Sequence, residues 1–316
     1  MFARPTHWKL KALMQKAVAW LPKPISYEAY FQLQRHFGGL KKPYNPLSIF
    51  KTGVAILKKI KSLGCNINGK KFFEVGTGRV PILPVAFWLG GGSTITIDLN
   101  PYMRNELIED MLFFVSKEEI QIKSIFGDFL DEKRFDLLLD YGNSKMVNKD
   151  DFLKTCQIEY LAPGDAAKVR LNENSVNYHI SHAVYEHIPL NILFDILSEG
   201  NRITTTDGLF VNIIDYADHF AQMDQNISAI NFLKYSDKDW DKWAGNRFMY
   251  MNRARHDDFI ELFKSVGHDF VETVTYKDRN IQELLHGGAL ILDDRFNKKE
   301  DEILSITSAW FITKKS

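Results

Sequence analysis

Two glycines and an acid stand at the spacing that nucleotide cofactors require. Gly76 and Gly78 form a turn directly after the apolar run 71–75, and Asp98 ends the β-branched run 94–97 about 20 residues later. Glycine lets the backbone approach a ligand closely. An acid that ends the next strand can accept hydrogen bonds from ribose hydroxyls. The pattern predicts a nucleotide-cofactor site, and its alternative is a structural glycine turn.

The residues around this turn discriminate between cofactors. Pro81 occupies the position of the third glycine of a dinucleotide-binding turn, which a pyrophosphate site needs for close packing of helix on strand. Glu74 precedes the first glycine. Its carboxylate would repel a pyrophosphate but could hold a cationic amino-acid group through water. We therefore expect S-adenosylmethionine (SAM) rather than NAD.

Polar side chains follow the fourth and fifth predicted strands, at the edge where doubly wound sheets bind ligands. Methyl transfer from a sulfonium to a neutral nucleophile needs a base, and histidine suits that task near neutral pH. His219, flanked by Asp218, is the first candidate base, and His187 is the second. Asp215 could act electrostatically, while Tyr185 and Asp218 are expected to contact the substrate. The alternative for both histidines is a hydrogen-bonded structural role.

Two arginines alternate in the segment Asn252-Arg253-Ala254-Arg255. A guanidinium fork suits a carboxylate or a phosphate. We therefore expect Arg253 or Arg255 to bind an anionic group of the substrate. Structural salt bridges are the alternative.

No catalytic metal site is expected from histidine spacing. His179, His182 and His187 lie partly on a predicted strand and partly on a loop. Their side chains should therefore diverge rather than converge on one ion.

Apolar periodicity predicts the elements that position these groups. Residues 1–64 indicate several helices that prolines separate, and a β-turn-helix-β unit begins at residue 71. Residues 105–155 indicate a helical insertion. The predicted strands are 71–75, 94–98, 157–161, 176–181, 209–214, 270–276 and 308–313. Together they predict an α/β, doubly wound fold, with a helical cap over residues 1–64 and a cofactor-binding domain over residues 65–316.

From about residue 70 to residue 316 the chain resembles class I SAM-dependent methyltransferases of the type 11-like kind. The run Glu74-Val75-Gly76-Thr77-Gly78 resembles their first motif, and Ile95-Thr96-Ile97-Asp98 resembles their second strand. Gly164-Asp165-Ala166 is similar to their adenine-contacting loop, and the run 175–189 to their fourth strand and its loop. The resemblance implies a Rossmann-like seven-stranded sheet with an antiparallel last strand. It also implies cofactor contacts from Glu74, Gly76, Thr77, Gly78, Asp98, Leu99, Asp165, Ala166 and Ser181.

Composition narrows the class of partner. The 316 residues carry 40 basic and 40 acidic side chains, whereas nucleic-acid binding usually needs a basic excess. Nucleic acid is therefore not the expected acceptor; the leading expectation is a small molecule methylated at oxygen, with a protein acceptor as an alternative. Cys65 and Cys156 lie far apart, as expected for reduced thiols of a cytoplasmic protein.

The N-terminal segment is basic and amphipathic. Its apolar face carries Leu10, Leu13, Met14, Ala17, Val18 and Leu21. We expect this face to pack on the domain as a substrate lid. Contact with a membrane surface and a transit peptide are the alternatives.

Two other functions compete with methyl transfer. A SAM-binding regulatory protein would keep the cofactor turn and lack the chemistry of the polar loops. An NAD(P)-dependent oxidoreductase would use the same fold with another cofactor, since fold alone does not assign function.

Overall fold

Seven strands in the described part of the chain form one sheet, in the order β3-β2-β1-β4-β5-β7-β6. The structure, a computed structural model, describes residues 7–143 and 147–316. Strand bounds are β1 (Lys71–Val75), β2 (Ser93–Ile97), β3 (Ile158–Leu161), β4 (Val176–His182), β5 (Thr204–Asp215), β6 (His268–Lys277) and β7 (Ile306–Lys315). Pairs β1–β2, β1–β4 and β2–β3 are parallel, and the last strands are antiparallel. The predicted doubly wound α/β fold is confirmed.

The helices lie before, between and after these strands along the chain. Their bounds are α1 (Trp8–Ala19), α2 (Lys23–Phe37), α3 (Leu47–Ser62), α4 (Ile82–Leu89), α5 (Asn105–Lys117), α6 (Glu119–Phe126), α7 (Glu132–Gly142), α8 (Lys149–Thr155), α9 (Leu190–Ile203), α10 (Asp237–Ala244), α11 (His256–Ser265), α12 (Arg279–His286) and α13 (Asp301–Leu304). Helices α5 to α8 lie between β2 and β3 along the chain. They are the helical insertion expected over residues 105–155.

The chain forms two compact units. The first contains the described residues up to Leu40 together with Ala183–Phe194 and Ile213–Phe311, and the second contains Lys41–His182, Asp195–Asn212 and Ile312–Ser316. Helix α3 therefore lies in the second unit. A boundary at residue 64 between a cap and a catalytic domain stays a prediction.

The core of the second unit forms around β1 and its neighbours. Phe73 pairs in register with Ile95 across the parallel strands, and both are buried, as expected for strands that are covered on both faces. Helix α4 is buried along its whole length. It meets α3 so closely that a Cβ added at Gly53 would lie 2.6 Å from the Cβ of Ala86. Small residues therefore allow this helix pair to pack.

The core of the first unit is aromatic. The ring of Trp8 lies 5.4 Å from that of Phe220 and 6.0 Å from that of Trp240, measured between centroids. The backbone N–H of Trp8 also donates a hydrogen bond of 2.9 Å to Asp224 Oδ2. These contacts fix the start of α1 on the chain segment that follows β5.

The packing face predicted for α1 is wrong. The buried residues of α1 are Trp8, Ala12, Gln15 and Ala19, whereas Leu10 and Leu13 are each 54% exposed. Trp8 is the bulkiest of these buried side chains, so its packing determines which face turns inward. Within the described residues, no helix is both long and apolar enough to cross a membrane.

Candidate functional site

The glycine turn in the second unit follows β1 and is hydrogen-bonded to the end of β2. Gly76 (φ 87°) and Gly78 (φ 70°) both adopt left-handed backbone angles, which glycine tolerates and other residues resist. The N–H of Gly76 donates to the carbonyl of Ile97 at 2.9 Å. The N–H of Gly78 donates to Asp98 Oδ2 at 3.0 Å. The turn and the acid predicted to share a cofactor therefore touch each other.

Asp98 is held by backbone donors on both carboxylate oxygens. Besides Gly78, the N–H of Asn100 donates to Asp98 Oδ1 at 3.1 Å. Burial raises the pKa of Asp98, and these backbone hydrogen bonds partly offset that rise. Each oxygen keeps a further lone pair, so the carboxylate can still accept hydrogen bonds from a diol. The neighbouring Leu99 is 69% exposed, which leaves its side chain free to contact a planar base.

Glu74 is a buried carboxyl group beside the turn. It pairs in register with Thr96, and the Thr96 hydroxyl donates to Glu74 Oε2 at 2.6 Å. The hydroxyl of Thr77 also hydrogen-bonds to that of Thr96. Burial raises the pKa of Glu74 to about 8, although the bond from Thr96 opposes the rise. A cation beside Glu74 would favour its ionised form.

The loop after β3 approaches Asp98 through its backbone. The N–H of Gly164 donates to the backbone carbonyl of Asp98 at 2.9 Å, and a Cβ at Gly164 would lie 2.7 Å from the carbonyl oxygen of Leu161. Asp165 is exposed, with Oδ1 accepting from the N–H of Ala167 at 2.9 Å, and Ala166 is buried. The residue before Asp165 therefore lies against the backbone of Asp98.

Ser181 lies at the end of β4, in register with Val75 at the end of β1. Its side chain is buried, and its hydroxyl has no hydrogen-bond partner among the described residues. Such orphan groups are rare in folded proteins. Ser181 is thus available to a ligand at the carboxyl ends of these strands.

His219 and Asp215 form a pair in the first unit. Nε2 of His219 lies 3.3 Å from Oδ2 of Asp215, and Asp215 Oδ1 accepts from the N–H of Ala217 at 2.8 Å. Burial pushes the pKa of Asp215 upward, but the interactions with His219 and Ala217 outweigh it and hold that pKa below its usual value. The carboxylate therefore stays charged beside the imidazole.

His187 lies next to His219, with ring centroids 4.9 Å apart. Its Nδ1 is 2.7 Å from the backbone carbonyl of Tyr250. A carbonyl can only accept, so Nδ1 carries the hydrogen and Nε2 keeps its lone pair. Burial lowers the pKa of His187 to about 4.

Glu186 completes a cluster that sequence spacing did not reveal. It is 2% exposed, and neither carboxylate oxygen makes a hydrogen bond of good geometry within the described chain, although the backbone N–H groups of Glu186 and Asp215 face it. Possible ligand atoms of Glu186, His187 and His219 all lie within 4.8 Å of one another. Spacing along the chain suggests only His179 and His182 as companions of His187, whereas the structure places Glu186 and His219 beside it.

The carboxylate of Asp218 accepts its hydrogen bonds from groups other than the two histidines. It is buried, with Oδ1 accepting from the N–H of Phe220 at 2.9 Å and Oδ2 accepting from Asn231 at 3.3 Å. Burial raises its pKa to about 6, and those hydrogen bonds oppose the rise. Tyr185 is also fully buried. Neither side chain is free on a surface, so their substrate contacts stay predictions.

Both candidate arginines donate hydrogen bonds to backbone carbonyls of the protein itself. Arg255 is fully buried and donates to the carbonyls of Tyr216, Leu304 and Ile306. Arg253 donates to the carbonyls of Phe232 and Tyr235 and pairs with Asp237. Arg253 thus makes an ion pair of the structural kind that is the alternative to substrate binding, whereas Arg255 bonds to backbone carbonyls. These contacts lend no support to a role in binding an anionic substrate.

The strand order, glycine turn and Asp98 define a doubly wound α/β protein with a nucleotide-type turn. The chain matches the fold of solved structures at low identity. These include the PH0226 protein of Pyrococcus horikoshii (10% identity, 90% of this chain and 99% of that one, TM-score 0.48). Another is a magnesium protoporphyrin IX methyltransferase of Synechocystis PCC 6803 with bound SAH (12% identity, 84% of this chain and 83% of that one, TM-score 0.42). A third is a SAM-dependent methyltransferase of Methanosarcina mazei (11% identity, 78% of this chain and 93% of that one, TM-score 0.42).

SAM-dependent methyltransferases are thus among the solved structures whose fold this chain resembles. At these identities the likeness concerns the fold alone. No protein-family model matches the chain, and no curated protein matches it.

Proposed function

We propose that this protein is a SAM-dependent methyltransferase. One observation carries the proposal: the glycine turn binds the ribose-type acid Asp98 while the buried carboxyl of Glu74 lies beside it. A pyrophosphate would oppose ionisation of that carboxyl, whereas the amino group of SAM would favour its ionised form and pair with it. Pro81 in place of the third glycine supports the same choice.

The acceptor atom we propose is an oxygen. In the reaction a bond forms between that oxygen and the methyl carbon while the carbon–sulfur bond breaks. The electron pair of the broken bond goes to sulfur and leaves a neutral thioether. The hydroxyl proton of the acceptor goes to His219, whose imidazolium form Asp215 stabilises at 3.3 Å. A positioned base of this kind accelerates reactions by about 10² to 10⁴-fold.

The proposed acceptor is a small molecule without a required anionic group. Balanced charge gives no electrostatic footprint for nucleic acid. The hydrogen bonds of Arg253 and Arg255 to backbone carbonyls remove the two guanidinium groups that would recognise a carboxylate or phosphate. A neutral hydroxyl compound therefore fits better than an acid.

Thermal-shift measurements with SAM, its demethylated product SAH and NAD(P) test the proposal. A ligand that binds only the folded state stabilises it by RT ln(1 + L/Kd), where L is the free ligand concentration, and so raises the melting temperature. SAM and SAH should each stabilise the wild-type protein, and the Asp98→Asn variant should respond less. Stabilisation by NAD(P) alone would reverse the assignment in favour of an oxidoreductase.

A further inference from the structure

Three metal-ligand side chains converge in the first unit. Glu186 and His187 follow β4 along the chain, and His219 follows β5. Their possible ligand atoms lie within 4.8 Å of one another. Ligand atoms on opposite sides of an ion are about 4.2 Å apart when each bond is about 2.1 Å. Small side-chain rotations would therefore bring all three atoms onto one ion.

The burial of Glu186 favours a cation as its partner. Its side chain is 2% exposed, and its oxygens lack hydrogen bonds of good geometry in the described residues. Burying a carboxylate without a partner is costly, so buried charges are normally paired or bound to a metal. Among the described residues, no ion pair with a lysine or an arginine neutralises Glu186. A divalent ion between it and the histidines would.

The two histidines are oriented as metal ligands usually are. A metal-binding imidazole commonly donates its second N–H to a carbonyl or carboxylate, which fixes its tautomer. Nδ1 of His187 is 2.7 Å from the Tyr250 carbonyl, which leaves Nε2 as the lone-pair atom. Asp215 Oδ2 lies 3.3 Å from His219 Nε2 and provides the corresponding carboxylate.

We propose that Glu186, His187 and His219 bind one divalent transition-metal ion, with Asp215 as the supporting carboxylate. Two imidazoles and a carboxylate suit Zn²⁺, Mn²⁺, Fe²⁺ or Co²⁺, whereas Mg²⁺ and Ca²⁺ prefer oxygen ligands throughout. Metal binding itself does not depend on methyl transfer. The inference goes beyond the proposed function: His219 is the proposed base in the metal-free protein, and with an ion bound its free nitrogen would be a ligand, so that an acceptor hydroxyl made more acidic by the ion would lose its proton to water.

Metal titration of the chelator-treated full chain, without SAM, tests the site. Zn²⁺ is titrated by calorimetry, and Co²⁺ is followed by its visible absorption. One equivalent should bind to the wild-type protein. Glu186→Gln and His187→Ala should weaken binding at least tenfold, because each removes a ligand. The control His286→Ala alters an exposed histidine of the same unit and should bind like wild type.

Electron paramagnetic resonance of the wild-type protein with one equivalent of Cu²⁺ guards against variants that fail to fold. Hyperfine coupling to two imidazole nitrogens is expected. Absence of nitrogen coupling, or unchanged Zn²⁺ affinity in folded Glu186→Gln and His187→Ala, would overturn the site. Because SAM is not present in these measurements, their failure leaves the cofactor assignment standing. A failure of SAM to bind would likewise leave the metal site standing.

Discussion

Nε2 of His219 lies 3.3 Å from Oδ2 of Asp215, the residue four positions earlier. The acid adjacent in sequence, Asp218, instead faces the backbone N–H of Phe220 and the amide of Asn231. The loop after β5 therefore turns so that its first acid, rather than its nearest one, meets the imidazole. This pairing gives the proposed base its charged partner.

Replacement of His219 by alanine should reduce turnover by about 10² to 10⁴-fold while leaving SAM affinity unchanged. The imidazole is proposed to take the acceptor proton, and the cofactor residues lie in the other compact unit. Steady-state kinetics with calorimetry of SAM binding provide both values. His286→Ala is the matched control. Normal turnover in a His219→Ala variant that binds SAM would remove the catalytic assignment.

Asp215→Asn should lower turnover less than His219→Ala does. Asparagine keeps an oxygen near Nε2 but loses the charge that stabilises the imidazolium. Measuring kcat and KM separately checks this, because a loss confined to kcat indicates an effect on the transition state. An increase in KM at constant kcat would mean that Asp215 only helps to bind the substrate.

Asp98→Ala should weaken SAM binding by about tenfold to a hundredfold. A hydrogen bond to a charged group contributes about 1.5–3 kcal/mol, and each 1.4 kcal/mol is a factor of ten. Asp98→Asn should have a smaller effect because it keeps one acceptor oxygen. The exposed Asp207→Asn in β5 is the control. Equal SAM affinity in Asp98→Ala and wild type would contradict the site map.

SAM affinity should increase as the pH rises from 6 toward 8. The raised pKa of Glu74, about 8, means that its carboxyl is protonated at neutral pH in the free protein. A cation bound beside it favours the ionised form, so binding releases a proton and is favoured at higher pH. The nearby charge of Asp98 also raises the pKa of Glu74, as burial does.

Glu74→Gln should flatten this pH dependence, because glutamine does not titrate. Calorimetry in buffers of different ionisation enthalpy counts the protons released on binding. Proton release by the glutamine variant equal to that of wild type would assign the effect to another group.

Arg255→Met should lower the free energy of unfolding by about 2–4 kcal/mol, because it leaves buried carbonyls without donors. The guanidinium donates to Tyr216 and Leu304 at 2.8 and 2.9 Å and also to Ile306. Urea unfolding measures the change. Arg279→Met, at an exposed position of the same unit, should shift stability by less than about 0.5 kcal/mol. Equal stability of the two variants would contradict this role.

The glycine turn and its contact with Asp98 could be predicted from sequence because they are encoded locally. Gly76, Gly78 and Asp98 belong to one β-turn-helix-β unit, whose periodicity identifies its strands. Even the bond between Glu74 and Thr96 has a sequence signal, since alternation along two parallel strands places both residues on one face. Local patterning therefore fixes this part of the site.

The cluster at Glu186 could not be predicted in the same way. His219 reaches His187 only because two loops meet, and no spacing rule gives the distance between loops. Likewise, the carbonyls that hold Arg255 belong to residues about 40 to 50 positions away. The buried face of α1 depends on the aromatic partners of Trp8, which the helix's own periodicity does not contain.

Calorimetric titration of the wild-type protein with SAM, SAH and NAD tests the central claim most directly. The account predicts that SAM and SAH each bind with a stoichiometry of one and that NAD produces no binding heat. Binding of NAD with no heat from SAM or SAH would contradict it.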